Sequence, residues 1–282
     1  MLELKGKPVA ESVFSQLQHE IQVWKKSGWK APHLVVILVG DDSSSQVYVQ
    51  HKQKACERLG FDSTLLTLPS HVTEAELAQQ IQKLNENNLV DAILLQLPLP
   101  SHLNPKKMCE LISAEKDADG ITSLSLGRLV TGIPTVTSCT PTGIMHMLEH
   151  YQIAVENQKV LIIGRSLIVG LPLFHLMLKK NATVTLAHSR TSDIHQLIKQ
   201  YQFVVVAVGK PHYFKATDFN NDSVVIDVGI HRLEQGLIGD VNFQKAQHLK
   251  AYTPVPGGVG PLTIAMLMKN TYQLALMNRQ RG

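Results

Sequence analysis

The feature that most constrains this chain is a series of short, unbroken apolar runs rich in β-branched residues: "HLVVILVG", "DAILLQLPLP", "KVLIIGRS", "TVTLAHSRT", "FVVVAVGKP" and "SVVIDVGI". A strand with one face in water alternates apolar and polar residues, whereas a strand covered on both faces has no reason to alternate. Runs of this kind, separated by stretches of helical periodicity, predict parallel strands wrapped by helices in an α/β protein. Two of them precede residue 100, and four crowd between residues 159 and 230. Between the groups, "RLVTGIPTVTSCTPTG" is interrupted at Gly132, Pro134, Pro141 and Gly143, just before a helix expected to begin near Thr142. A chain of 282 residues is long enough to bury two cores, so two α/β domains are expected with their boundary in that stretch. The tail "PLTIAMLMKNTYQLALMNR" reads as a long helix capped by Thr263 and returning to the first domain.

Composition excludes several function classes. The chain is 44% hydrophobic and 18% charged, with no low-complexity tract, as expected for a globular protein. The formal net charge of +4 is spread along the sequence, which gives no reason to expect a nucleic-acid partner but suits an anionic small substrate. The longest clean apolar run near the start, "LVVILV", is far below the about 20 residues of a membrane span, so no membrane association is expected. Cys56, Cys109 and Cys139 form no C-x-x-C pair and fit free thiols in a cytoplasmic compartment.

Several motifs carry chemistry. In "SSSQVYVQHKQKACERLG", Tyr48 and Lys52 stand four positions apart, one turn apart on one helix face. "LLQLPLP" leaves Gln96 at the carboxyl end of a buried strand, where open α/β sheets bind ligands. "AEKDADGI" sets Asp117 and Asp119 in a loop, as a turn, a loose cation site or a carboxylate able to read a planar pair of N–H groups. "VLIIGRSLIVGLP" is a strand, a glycine turn and a helix start suited to a pyrophosphate, although Ser166 and Val169 fill two of the fingerprint glycine slots and Gly170 falls one position late. The following strand ends in Ser189 and Arg190 rather than an acidic residue, and with Arg165 these groups suit the 2′-phosphate of NADP better than the free ribose of NAD. "YTPVPGGVGPLT" forms a loop of Gly and Pro that a flat ligand can approach closely. "HMLEH" imitates a zinc-peptidase helix but lacks a third ligand, and no metal site is expected.

Taken in order, "VGDDSSSQVYVQHKQKACERLG", "LLQLPLP", "EKDADGI", "CTPTGIMHML", "IIGRSLIVGLPL", "HSRT", "DVGIHRL" with "IGDV", and "TPVPGGVGPLTIAMLMKNT" closely resemble the bifunctional methylenetetrahydrofolate dehydrogenase/methenyltetrahydrofolate cyclohydrolase family from about residue 35 to residue 271. The resemblance implies two α/β domains flanking a cleft. One is a folate-binding catalytic domain of residues 1–139 plus 265–282, and the other a Rossmann-type NADP-binding domain of residues 140–264. It implies oxidation of 5,10-methylenetetrahydrofolate with NADP, then hydrolysis of the methenyl product to 10-formyltetrahydrofolate. Lys52 falls on the family's catalytic lysine, Gln96 on the glutamine that bonds it, Tyr48 on the tyrosine lying along the folate and Asp119 on the aspartate gripping the pterin. Gly164, Arg165, Ser166, Ser189, Arg190 and Ile230 fall at cofactor positions, and Gly257, Gly258 and Pro261 in the loop beside the folate and nicotinamide. Polyglutamylated tetrahydrofolates as substrates and a homodimer are implied as well.

Folate nitrogens stabilise the cation left by the first step, which then needs positioning more than a strong base. For the second step Lys52 either takes a proton as a neutral amine or donates one as an ammonium, and the sequence leaves both open. The chain departs from the family pattern at Leu167 and Leu171, which stand where a polar and a basic residue are usual, at His231 in place of the Asn of "DVGIN", and at Ser138 in place of a Pro. Two other readings are a dehydrogenase for a shikimate-type alcohol, which would show no hydrolase activity, and a non-catalytic dinucleotide sensor.

Overall fold

The structure, a computed structural model, describes residues 1–26, 28–133, 135–234 and 236–281; Pro134, one of the expected breaks, lies outside them. In chain order the elements begin with β1 (Leu2–Glu3), α1 (Gly6–Lys26), β2 (His33–Val39), α2 (Ser43–Leu59), β3 (Asp62–Leu68), α3 (Glu74–Glu86), β4 (Ala92–Leu95), α4 (Pro105–Glu110) and α5 (Ser123–Thr131). They continue with α6 (Cys139–His150), β5 (Lys159–Ile163), α7 (Gly170–Lys179), β6 (Thr183–Ala187), α8 (Ile194–Ile198), β7 (Phe203–Val206), β8 (Phe214–Lys215) and β9 (Val224–Asp227). The last are β10 (His231–Leu233), β11 (Gly236–Ile238), β12 (Val241–Asn242), β13 (Ala251–Tyr252) and α9 (Gly260–Arg281). Each of the six apolar runs holds a strand, and the helix expected near Thr142 starts at Cys139.

The chain divides into two compact units, Met1–Ser12 with Thr140–Thr263, and Val13–Cys139 with Ile264–Gly282. The first twelve residues therefore cluster with the later segment rather than with residues 13–139, the grouping the sequence suggests. The physical reason is strand pairing. Leu2 and Glu3 lie parallel to Ala251 and Tyr252, and the Tyr252 hydroxyl donates to the Glu3 carboxylate at 2.8 Å. A two-residue strand carries no periodicity by which the sequence could announce it.

In the unit of Val13–Cys139 and Ile264–Gly282, three parallel strands run in the order β3-β2-β4. β2 is buried from Leu34 to Val39 and β4 along its whole length, so each aliphatic side chain contributes about 1.5–3 kcal/mol of burial and the strand exits are held firmly. β3 is the strand that the apolar-run pattern missed, because as an edge strand its side chains are mostly exposed or half-buried. Below the sheet, Val35, Ile37 and Ile93 meet Leu77 and Ile81 of α3 and Met108 of α4 in one core cluster.

The other unit carries a six-stranded parallel sheet in the order β1-β13-β9-β7-β5-β6. The chain leaves β5 for β6 on one side and returns to β7 on the other, so the order reverses at β5. Open α/β sheets take their ligands at the carboxyl ends of strands at such a switch point. Thr263 is not the cap of the last helix: α9 starts at Gly260, and the Thr263 hydroxyl instead shares a 3.1 Å hydrogen bond with Thr140.

At its far end α9 contributes Arg279, whose guanidinium forks onto the buried Asp91 carboxylate at 2.6 and 3.2 Å. His33 donates its backbone N–H to the same carboxylate at 3.0 Å. Arg279→Met should cost about 2–3 kcal/mol in urea unfolding, below the ~3–5 of a fully buried pair because Arg279 is partly exposed and the His33 amide remains. A loss under ~0.5 kcal/mol would mean the pair stabilises nothing.

Candidate active site

Helix α2 is started by Asp42, whose carboxylate accepts from the Ser45 amide at 2.7 Å, and stopped by Gly60 in the left-handed region at φ +68°. Its buried stripe runs Ser45, Val49, Cys56 and Leu59, and the heptad position between Val49 and Cys56 is filled by Lys52. A lysine on the core stripe cannot keep its amine fully hydrated. It meets a partner: Lys52 Nζ donates to Gln96 Oε1 at 2.7 Å. Gln96 directly follows β4, its backbone N–H bonds to Ile37, and its amide nitrogen donates to the Leu97 carbonyl. Because the amide nitrogen is committed to the Leu97 carbonyl, it is the amide oxygen that faces Lys52.

Asp119 lies within electrostatic reach of Lys52, and the Cys139 thiol bonds Asp119. Burial pulls the Lys52 amine below its ordinary value, opposed by the negative charge of Asp119. Asp119 keeps some accessible surface, yet it stands deep enough that burial pushes its carboxyl up, with Lys52 pulling it back. Burial also drives Cys139 well above the usual thiol range, so it stays protonated and can donate towards Ala118 and Asp119. Tyr48, one turn before Lys52, is 41% exposed and presents its ring to solvent on the same helix face.

The loop under Asp119 is tied down by the other acid of the motif. Asp117 is buried and accepts from the amides of Gly120 and Thr122 and from the Ser125 hydroxyl at 2.8–2.9 Å, so it is a structural turn former with its oxygens spoken for. Buried Asn270 on α9 donates to the carbonyls of Ala118 and Thr137 at 3.0 and 2.9 Å and approaches Cys139 Sγ at 3.5 Å. Asn270 was missed because an Asn inside an apolar helix looks like any polar interruption. The sequence offered little signal, since in "AMLMKNTYQLAL" Asn270 stands between Lys269 and Thr271 with Gln273 close by.

In the other unit a cavity of about 320 Å³ opens at the switch point, lined by Gly164, Arg165, Ser166, His188, Ser189, Val208, Lys210 and neighbours. Gly164 adopts φ +128°, and a Cβ there would lie 2.1 Å from the Ala207 carbonyl oxygen. A Cβ on Gly170 would lie 1.9 Å from the Gly164 carbonyl oxygen, so the late glycine of the motif is the one that lets α7 close onto the turn. The Ser166 hydroxyl accepts from Val169 N at 3.2 Å at the start of α7. Among the cavity's described lining residues stand Arg165 and Lys210 and no carboxylate. Arg190 and Ile230 are exposed and do not line it.

Gly257 and Gly258 form the turn before α9, and Pro261 is in its first turn. Gly257 takes φ +102° and its carbonyl accepts the Gly6 amide at 2.8 Å; a Cβ on Gly258 would lie 2.5 Å from the Pro254 carbonyl oxygen. The loop therefore admits no side chain at Gly258. Among the described residues no cluster of His, Cys, Asp and Glu could hold a metal ion.

Comparison with known proteins agrees with the sequence resemblance. The family model for the tetrahydrofolate dehydrogenase/cyclohydrolase catalytic domain matches residues 4–119, and that for its NAD(P)-binding domain matches residues 138–279. The bifunctional protein FolD of Bdellovibrio bacteriovorus is 51% identical over 278 residues, covering 98% of this chain and 96% of that one. The crystal structure of the bifunctional FolD dehydrogenase/cyclohydrolase of Campylobacter jejuni is 38% identical with a TM-score of 0.94 and covers all of both chains. The Trypanosoma brucei dehydrogenase-cyclohydrolase, solved with NADP cofactor and an inhibitor, is 32% identical with a TM-score of 0.93 and 99% coverage of each chain. Matching models over both segments and relatives of this identity over nearly the full length make the conclusion plain: the chain belongs to the tetrahydrofolate dehydrogenase/cyclohydrolase family.

Proposed function

We infer that the chain oxidises 5,10-methylenetetrahydrofolate with NADP and hydrolyses the resulting 5,10-methenyltetrahydrofolate to 10-formyltetrahydrofolate. The observation that carries this reading is the 2.7 Å bond from Lys52 to Gln96 beside Asp119, within the segment matched by the family's catalytic domain. A half-buried, restrained lysine is unexplained in a mere dinucleotide sensor; an alcohol dehydrogenase can use one for the hydroxyl proton, and it is the match of both segments to the family models that favours the folate reading over that one.

The cofactor cavity fits NADP by its donors. Gly164 and Gly170 leave room for backbone to approach phosphate, and Ser166 sits at the start of α7, whose dipole favours an anion. With Arg165, Lys210 and Ser189 at the cavity and no carboxylate among its described lining residues, a 2′-phosphate is preferred over a bare ribose. Gly164, Arg165, Ser166 and Ser189 are assigned to the dinucleotide on this ground, and Arg190 and Ile230 by family resemblance. When bound, NADP supplies the hydride acceptor for the first step.

The protein's part in that step is orientation. Tyr48 offers the folate a flat amphipathic wall, and Asp119 offers the pterin edge a carboxylate. Gly257, Gly258 and Pro261 supply a close-approach backbone surface. In the second step water adds to the cationic methenyl carbon and its oxygen gives up two protons, one as the hydroxyl adduct forms and one as the carbonyl forms and the bond from that carbon to N5 breaks, while N5 takes up one proton. Net release is one proton. Lys52 moves it: burial favours the neutral amine, Asp119 favours the ammonium, and Gln96 fixes the nitrogen's place through both states.

The folate chemistry is assigned to the unit of residues 13–139 and 264–282 and cofactor binding to the other. A homodimer, polyglutamylated substrates and a cytoplasmic setting complete the reading; the three free, buried cysteines support the last.

Purified protein given 5,10-methylenetetrahydrofolate and NADP should produce NADPH together with 10-formyltetrahydrofolate, and much less reduced cofactor with NAD. Absence of reduction with either dinucleotide would defeat the assignment. Tyr48→Phe should hold kcat/KM within about threefold, while Tyr48→Ala should lose about tenfold or more, since the ring's buried area and stacking are at stake rather than the hydroxyl. Equal losses in steady-state kinetics would contradict the wall role.

A further inference from the structure

Beyond β7, the chain from Ala207 to Lys210 forms one wall of the cofactor cavity. Three consecutive amides there, of Val208, Gly209 and Lys210, turn away from the cavity and donate to a single carboxylate, Asp240, at 2.7, 3.0 and 2.9 Å. The Asp240 side chain is fully buried. It takes a fourth hydrogen bond from His231 Nε2 at 2.8 Å, and because a carboxylate only accepts, that nitrogen carries the proton. The pocket for this carboxylate is tight: a Cβ on Gly229 would lie 2.4 Å from Asp240 Cγ.

A second acid stands behind the first. Asp227, at the end of β9, accepts from the amides of Gly229, Asp240 and Val241 at 2.9–3.1 Å. Burial pushes its carboxyl up to about 7, and the neighbouring Asp240 acts in the same direction. The cavity wall thus rests on a buried anion with another acid at its back, a costly arrangement unless charge-assisted donors hold it. His231 is the side chain that does so, at a position where the family pattern has Asn.

We propose that His231 is a positioning residue for the dinucleotide: by donating to Asp240 it holds that carboxylate against the three amides and so fixes the Val208–Lys210 wall. Asn has a shorter amide that can also donate a hydrogen bond, so it should preserve much of the effect, whereas an apolar side chain leaves Asp240 short of a donor. The inference rests on the reading of the cavity as the NADP site. It explains how a chain that has Leu167 and Leu171 in its phosphate turn can still order the opposite wall.

The test titrates NADPH fluorescence with purified wild type, His231→Leu and His231→Asn, and measures hydrolysis of methenyltetrahydrofolate, which consumes no dinucleotide, in the same preparations. His231→Leu should weaken NADPH binding about tenfold, the loss expected for one charge-assisted hydrogen bond, and raise KM for NADP with little change in kcat. Hydrolysis should stay within about twofold, and His231→Asn should recover most of the binding. Unchanged binding in His231→Leu overturns the proposal, as does a parallel loss of binding and hydrolysis that His231→Asn fails to rescue. Wild type that does not bind NADPH defeats the underlying reading of the cavity instead.

Discussion

An amine set into the apolar stripe of α2 is the constraint from which the candidate site follows. Lys52 occupies a heptad position between Val49 and Cys56, so folding the helix onto its sheet takes the nitrogen partly out of water. That is tolerable only with a hydrogen-bond acceptor and a counter-charge in reach. Gln96 provides the acceptor because β2 and β4 pair in parallel and deliver the strand exit to the helix face. Asp119 provides the charge because Asp117 ties its loop and Asn270 pins the peptide that precedes it. Two opposed forces act on one lysine: burial, the stronger, pulls its amine below the ordinary value, and the nearby carboxylate pulls it back.

The cofactor unit solves a different problem, the approach of a large anion to backbone. Gly164 and Gly170 remove side chains where carbonyl groups come within about 2 Å of a would-be Cβ. On the facing side, carboxylates buried behind the loops collect the amides: Asp240 gathers Val208 to Lys210, and Asp227 gathers Gly229, Asp240 and Val241. These acids sit behind the cavity wall, so they order its loops without offering a negative group to the phosphates.

Much of this was legible in the sequence, for identifiable reasons. Continuous apolar runs mark strands covered on both faces, and each of the six held one. Tyr48 with Lys52, and Gln96 after "AILL", were readable because helical spacing and strand exits are local properties. What was not legible depends on neighbours far away in sequence. β3 is an edge strand with a half-exposed pattern, and β1 is too short to show any, so the placement of the first twelve residues escaped notice. Cys139 reads as a free thiol and nothing in the sequence singles out Asn270; only tertiary contacts join both to the Asp119 loop. The glycine fingerprint looked defective at Gly170 because a motif counts positions, whereas the fold requires only that the Cβ be absent where α7 meets the turn. His231 likewise read as a departure from the family pattern, and its partner Asp240 becomes visible only once β10 and β12 are in place.

In the proposed reaction Lys52 carries the hydrolytic step and oxidation depends on positioning alone. The most direct measurement follows methenyltetrahydrofolate and NADPH separately after methylenetetrahydrofolate and NADP are mixed with Lys52→Met. The account predicts continued NADPH formation with methenyl product accumulating, hydrolysis having dropped by about 10²-fold or more, as expected for loss of a positioned acid–base group. Methenyl hydrolysis at a rate close to wild type would contradict it.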